Sequence, residues 1–372
     1  MQRYLSIDIL RGVAILLMVQ VHFIGHLSPY EESSAWIYLP SGWLGMTPAP
    51  LFTFLSGLSF CLWTRKQESK GQADETITKV AIRRGLFLFG SGIALNVLVW
   101  LPEETFNWDI LTLIGASFVI LAFARKLPTE ILALICGIVV LLSPPFRVIS
   151  DYAAYWDDYN YVYDFTLIDV VSGFFLNGYF PLLPWIVVPM TGFIVGDIAV
   201  RGERRSSAWQ WRLAIAGIGF ILFAALMEIL GPTLPAPLAR HYADGLTMYP
   251  ASTPYLLGML GLSMLSFALL NRWIDRRDTT TPPGHVVRFL QLWSTFSLTV
   301  YFVHLMAHIW PLWIYGVWMG QDDPTFYWQQ AMSAPAALCW TLAFVVLGTL
   351  ALQFLERHKK YSFEAFMRWL CD

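Results

Sequence analysis

Apolar residues in this 372-residue chain come in long runs separated by short polar stretches. Runs of about 18 residues or more, the length that crosses a ~30 Å hydrocarbon core, fall at 8–27, 47–64, 84–101, 108–125, 128–146, 181–200, 212–231, 253–272, 289–313 and 332–355. The pattern predicts about ten transmembrane helices and an all-α, polytopic integral membrane protein. Between the fifth and sixth runs lies the longest connection, about Ser150 to Phe180. It is rich in tyrosine, aspartate and tryptophan and carries an apolar patch from Phe165, so it should lie on or dip into the membrane face.

The charges between the runs set orientation, because lysine and arginine concentrate on the cytoplasmic side. The second loop holds Arg65, Lys66, Lys70, Lys79, Arg83 and Arg84; the fourth Arg125 and Lys126. The sixth holds Arg201, Arg204, Arg205 and Arg212, the eighth Arg272, Arg276, Arg277 and Arg288, and the tail Arg357, Lys359 and Lys360. Odd loops carry acids instead: Glu31, Glu32, Glu103, Glu104, Asp151, Asp157, Asp158, Asp164, Asp244, Asp322 and Asp323, with Arg147 and Arg240 as their only bases. Both termini are therefore expected in the cytoplasm. No domain-sized repeat or low-complexity linker interrupts the pattern, so residues 1–372 are expected to form a single transmembrane domain.

Composition agrees: 56% of residues are hydrophobic and 13% charged, against about 25% charged in soluble domains. A net charge of -2 gives no reason to expect nucleic acid as a partner; the lipid bilayer is the expected one. Cys61, Cys136, Cys339 and Cys371 show no metal-binding spacing and read as buried thiols without a disulfide frame. The first run is long and lacks a small-residue cleavage site, so it is expected to remain as the first span.

That first span holds the groups a bilayer tolerates least. Asp8 and Arg11 stand at its cytoplasmic end, three residues apart on one face, and His22 and His26 stand toward its outer end. Arg11 and His22 are about 16 Å apart along the axis at 1.5 Å per residue. A guanidinium at the rim of a cavity suits a phosphate-bearing ligand. The ninth span repeats the outer-end feature with His304 and His308, so two i, i+4 histidine pairs occupy the outer half of the membrane. A histidine there can serve as general base or covalent carrier. The pairs also raise a metal site, but no carboxylate or cysteine stands beside either one, and no metal is expected. Thr53, Ser56, Asn96 and Glu228 are further polar groups inside spans, each read first as packing or hydrogen bonding. Pro181 and Pro184 set the entry of the sixth span, and Trp185 either lines an acceptor site or belongs to the interfacial aromatic belt.

The stretch Arg3-Tyr-Leu-Ser-Ile-Asp8-Ile-Leu-Arg11-Gly12-Val-Ala-Ile-Leu-Leu-Met18, followed by His22, resembles the opening of the heparan-alpha-glucosaminide N-acetyltransferase catalytic family, part of the wider transmembrane acyltransferase superfamily. Further similar pieces follow in order: Ala49 to Gly57, Trp108 to Gly115, Tyr179 to Trp185 with Gly192 and Gly196, and Tyr301 to His304. The resemblance implies an acyl-CoA-dependent transmembrane acetyltransferase. Acetyl-CoA would be the cytoplasmic donor, and the acceptor an amino or hydroxyl group of a sugar or glycan on the outer side. It places Asp8 and Arg11 at the CoA nucleotide, His22 and His304 at the chemistry, and His26, His308 and Trp185 near the acceptor. In the lysosomal member the catalytic histidine lies in the outer loop after the first span. Here Ser28 to Met46 holds no histidine, and the role passes to His22, where the wider superfamily places one. A transporter or flippase with an intramembrane His/Arg pathway is the alternative; it would favour an internal repeat with broken helices. The compact chain suits a bacterial cytoplasmic membrane. A homo-oligomer stays open.

Overall fold

The computed structural model describes residues 4–31, 34–100, 102–157, 160–203, 208–243, 245–276, 284–320, 331–358 and 361–372. The loop charges Glu32, Asp158, Arg204, Arg205, Asp244, Arg277, Asp322, Asp323, Lys359 and Lys360, with Arg3 of the opening motif, lie outside the described residues. Among the described residues the helices are α1 Leu5–Leu27, α2 Ala35–Gly45, α3 Pro48–Ser69, α4 Asp74–Leu95, α5 Ile110–Ala124, α6 Thr129–Ile149, α7 Leu167–Ser172 and α8 Leu182–Trp185, followed by α9 Val187–Glu203, α10 Trp209–Leu230, α11 Ala236–Tyr242, α12 Thr253–Leu270, α13 His285–Thr295, α14 Ser297–Trp318, α15 Ala334–Arg357 and α16 Phe363–Cys371. The described strands are two residues each, Trp156–Asp157 paired antiparallel with Asn160–Tyr161.

The chain is an all-α polytopic membrane protein. Nine helical stretches among the described residues are long and apolar enough to span a bilayer. The expected fourth span is present as α5, whose 15 residues extend about 22 Å. Asp109 fixes its start, accepting the Leu111 and Thr112 amides at 2.8 and 3.2 Å. The expected ninth span, 289–313, divides at Phe296 into α13 and α14. The break has a chemical cause: the Glu364 carboxylate accepts the Leu298 and Thr299 amides at 2.7 and 3.0 Å and the Thr299 hydroxyl at 2.7 Å. A carboxylate there satisfies amide donors that a fresh helix start leaves open, and it matches the positive end of the helix dipole. The first outer loop contains α2. The apolar patch from Phe165 forms α7, with Phe165, Leu167 and Ile168 exposed.

Two compact units are formed. One runs through Thr53–Ile274; the other joins Tyr4–Phe52 to Asp275–Leu370.

In the Thr53–Ile274 unit, α9 packs on α6, α10 and α12, and α10 lies along α12. Gly217 and Gly261 let the last two touch: a Cβ on Gly261 would sit 2.5 Å from the Gly217 carbonyl oxygen. Buried Asp197 gathers the basic end of this unit, receiving Arg65 and Arg201 at 2.7 Å each and the Thr129 hydroxyl at 3.1 Å. Arg125 bridges Glu68, at 3.0 Å, to Asp74. Thr53 and Asn96 are buried, and the Asn96 amide donates to the Thr105 carbonyl at 3.1 Å. Cys61 and Cys136 are buried free thiols.

The second unit is built around α1. Its core joins Ile15, Val19, Phe23, Trp293, Val300, Ala337 and Leu352. Gly12 brings α1 onto α13, since a Cβ there would lie 2.5 Å from the Leu290 carbonyl oxygen. Asp275 caps α1 from outside the helix, accepting the Leu5 and Ser6 amides at 2.6 and 3.1 Å and the Ser6 hydroxyl at 2.5 Å. Cys339 departs from the expected buried thiols: it is exposed on the apolar helix α15, where lipid rather than protein covers a side chain.

Candidate functional site

Four histidines meet in the α1 unit. The i, i+4 spacing stacks His22 on His26 along α1, with ring centroids 5.1 Å apart, and the same spacing on α14 places His304 and His308 in succession. The helices bring them into register. His22 Nδ1 lies 2.8 Å from His304 Nε2, and His26 Nδ1 lies 2.9 Å from His308 Nε2. Two parallel imidazole pairs therefore stand one helical turn apart.

Backbone carbonyls decide where the protons sit. His304 Nδ1 is 3.0 Å from the Val300 carbonyl, and His308 Nδ1 is 2.5 Å from the His304 carbonyl. A carbonyl only accepts, so each of these Nδ1 atoms carries hydrogen. In neutral rings the Nε2 atoms of His304 and His308 are then acceptors, and they receive Nδ1–H from His22 and His26. The remaining lone pair on His22 is thereby assigned to Nε2. His304 is fully enclosed and His308 nearly so, whereas His22 and His26 are half-buried. Phe23, 4.7 Å from the His308 ring, and Tyr301, 5.6 Å from the His304 ring, hold the inner members in place. Among the described residues no group of three or more His, Cys, Asp or Glu side chains is arranged to hold a metal ion.

Asp8 and Arg11 occupy the opposite end of α1. Asp8 is buried and accepts the Ser294 hydroxyl at 3.3 Å; Arg11 is half-buried. Trp185 belongs to the Thr53–Ile274 unit and is fully enclosed, packed against Phe180 and Tyr255. As placed, it offers no open face to an acceptor. Three partners escape a sequence reading: Ser294, which holds Asp8, and the carboxylates Asp275 and Glu364, which start α1 and α14. Each acts from far along the chain. The only sequence trace was an acid at the edge of a basic segment.

The fold and the histidine pairs define a polytopic membrane protein with a polarised span, ionic at one end and basic imidazole at the other. The sequence profile of the heparan-alpha-glucosaminide N-acetyltransferase catalytic family matches residues 3–227, more than half of the chain, and the protein belongs to that family. Membership makes it a membrane acetyltransferase in kind. No curated protein matches the chain. The matched region contains His22 and His26 but ends before His304 and His308, so the pairing of the two sets emerges from the fold alone.

Proposed function

We propose that the chain is one transmembrane acyltransferase unit, residues 1–372, that moves an acetyl group from cytoplasmic acetyl-CoA to an amino or hydroxyl group of a sugar on the extracytoplasmic side. The observation that carries this reading is the His22–His304 hydrogen bond, with His304 Nδ1 committed to the Val300 carbonyl. It leaves His22 with a lone pair at Nε2 and a partner that stabilises the ring once protonated. His22 Nε2 removes the proton of the acceptor N–H or O–H as that atom attacks the thioester carbonyl carbon. The new N–C or O–C bond forms, the C–S bond breaks, and the CoA thiolate takes the proton back from the imidazolium. His304 positions His22 and supports its positive charge. His26, held in the same way by His308, meets the acceptor one turn further out.

Arg11 binds donor phosphate at the other end of the span, in keeping with the guanidinium's fork geometry, and Asp8 holds the helix face on which Arg11 stands. The extended pantetheine arm bridges the remaining distance. The chain's membrane is proposed to be a bacterial cytoplasmic membrane.

Calorimetric titration of acetyl-CoA into the purified protein in detergent tests the donor assignment. Arg11→Ala should weaken binding, while His22→Ala should bind normally and fail to transfer. Unchanged affinity in Arg11→Ala removes Arg11 from the donor site, and loss of binding in folded His22→Ala removes the general-base role.

A further inference from the structure

A groove of about 540 Å³ in the Thr53–Ile274 unit lies among α6, α9, α10 and α12. It is separate from the histidine pairs and has a different character. Its walls are apolar apart from Thr191 and Cys136 in the interior and a single charged side chain, Arg212, at one end. Along α10 the lining runs from Arg212 to Phe220, about 12 Å at 1.5 Å per residue. Along α9 it runs from Val187 to Ile198, about 16 Å. That span equals one leaflet, half of a ~30 Å hydrocarbon core, and Arg212 stands at the end where the loop charges place the cytoplasm.

Arg212 differs from its neighbours. Arg65, Arg125 and Arg201 are all engaged by Asp197, Glu68 or Asp74, whereas Arg212 has no acidic partner among the described residues and is exposed. A leaflet-length apolar slot ending in a guanidinium with no acidic partner among the described residues matches an amphiphile with one acyl chain in the slot and an anionic phosphate at its mouth. We propose that this groove is a binding site for an anionic phospholipid of the cytoplasmic leaflet, with the phosphate on Arg212 and an acyl chain running toward Val187.

Gly137 supplies a clean test, because its Cβ position has nothing within 4 Å and a larger side chain there would occupy the groove. Native mass spectrometry of the delipidated protein would be run with 1-palmitoyl-2-oleoylphosphatidylglycerol, the matching phosphatidylcholine, and palmitoyl-CoA. Wild type should retain one phosphatidylglycerol in preference to phosphatidylcholine. Arg212→Gln should weaken phosphatidylglycerol about fivefold and abolish the preference, the worth of one basic side chain at an anionic headgroup. Gly137→Leu should lose the retained lipid while eluting as a single folded species; Ala216→Phe, on the facing helix, serves if Gly137→Leu fails to fold. Arg288→Gln should bind as wild type. Retention unchanged in both Arg212→Gln and the groove-filling variant overturns the assignment, and so does a preference for palmitoyl-CoA, which would make the groove a donor-tail site.

Discussion

Replacing His304 by alanine separates a positioning partner from the base it positions. The Nδ1–H of His22 loses the His304 Nε2 acceptor 2.8 Å away, and the ring becomes free to turn and to carry its proton on either nitrogen. As His22 becomes imidazolium in the transfer step, the lost contact is a hydrogen bond to a charged group, worth about 1.5–3 kcal/mol. At about 1.4 kcal/mol per tenfold, the rate of transfer should fall about ten- to 150-fold. His22→Ala removes the base itself and should cost about 10² to 10⁴. Thiol release from acetyl-CoA, measured with an amino or hydroxyl sugar that serves wild type, reads both variants. Calorimetric donor affinity should remain at the wild-type value in each. The double variant should be no slower than His22→Ala alone, because residues acting as one unit are not additive. Wild-type turnover in His304→Ala, or a double variant slower than His22→Ala by the full His304 effect, would refute the pairing as the source of His22's basicity.

Three further outcomes follow from individual contacts. Asp275→Ala should lower stability in a detergent melt by about 1–2 kcal/mol, since it removes both a side-chain cap and a favourable dipole contact; Asp275→Asn should recover part of this. Gly12→Val should cost about 1–3 kcal/mol or more by pushing α1 off the Leu290 carbonyl, whereas Gly25→Ala, with nothing near its Cβ, should be neutral or stabilising. Burial raises the Glu104 carboxyl above its ordinary 4.5. A raised folded-state value means that the contribution is complete below 4.5 and is lost as pH climbs through the folded value. Wild type should therefore lose stability above pH 4.5 relative to Glu104→Gln in melts across that range, and parallel curves would exclude the effect.

The membrane architecture was legible because a bilayer imposes run length and loop charge on any spanning chain, and α1, α6, α10, α12 and α15 follow the apolar pattern closely, whereas α4 begins at Asp74, ten residues before its expected run. The break at Phe296 was not, because the apolar run from Phe289 continues across it into α14 and the group that starts α14, Glu364, comes from the far end of the chain. The histidine site was half legible. Spacing alone put His22 and His26 on one face of α1 and His304 and His308 on one face of α14. That the four form two hydrogen-bonded pairs depends on the axial register of α1 against α14, which local sequence does not encode. Register here is fixed by remote contacts: Asp275 starts α1, Glu364 starts α14, and Gly12 sets how closely α1 meets α13. A one-residue slip of α14 along its axis, about 1.5 Å with a 100° turn, would carry both inner imidazoles away from His22 and His26. The two carboxylate caps therefore belong to the chemistry as much as to the fold. Shifting either helix start should reduce transfer before it reduces donor binding.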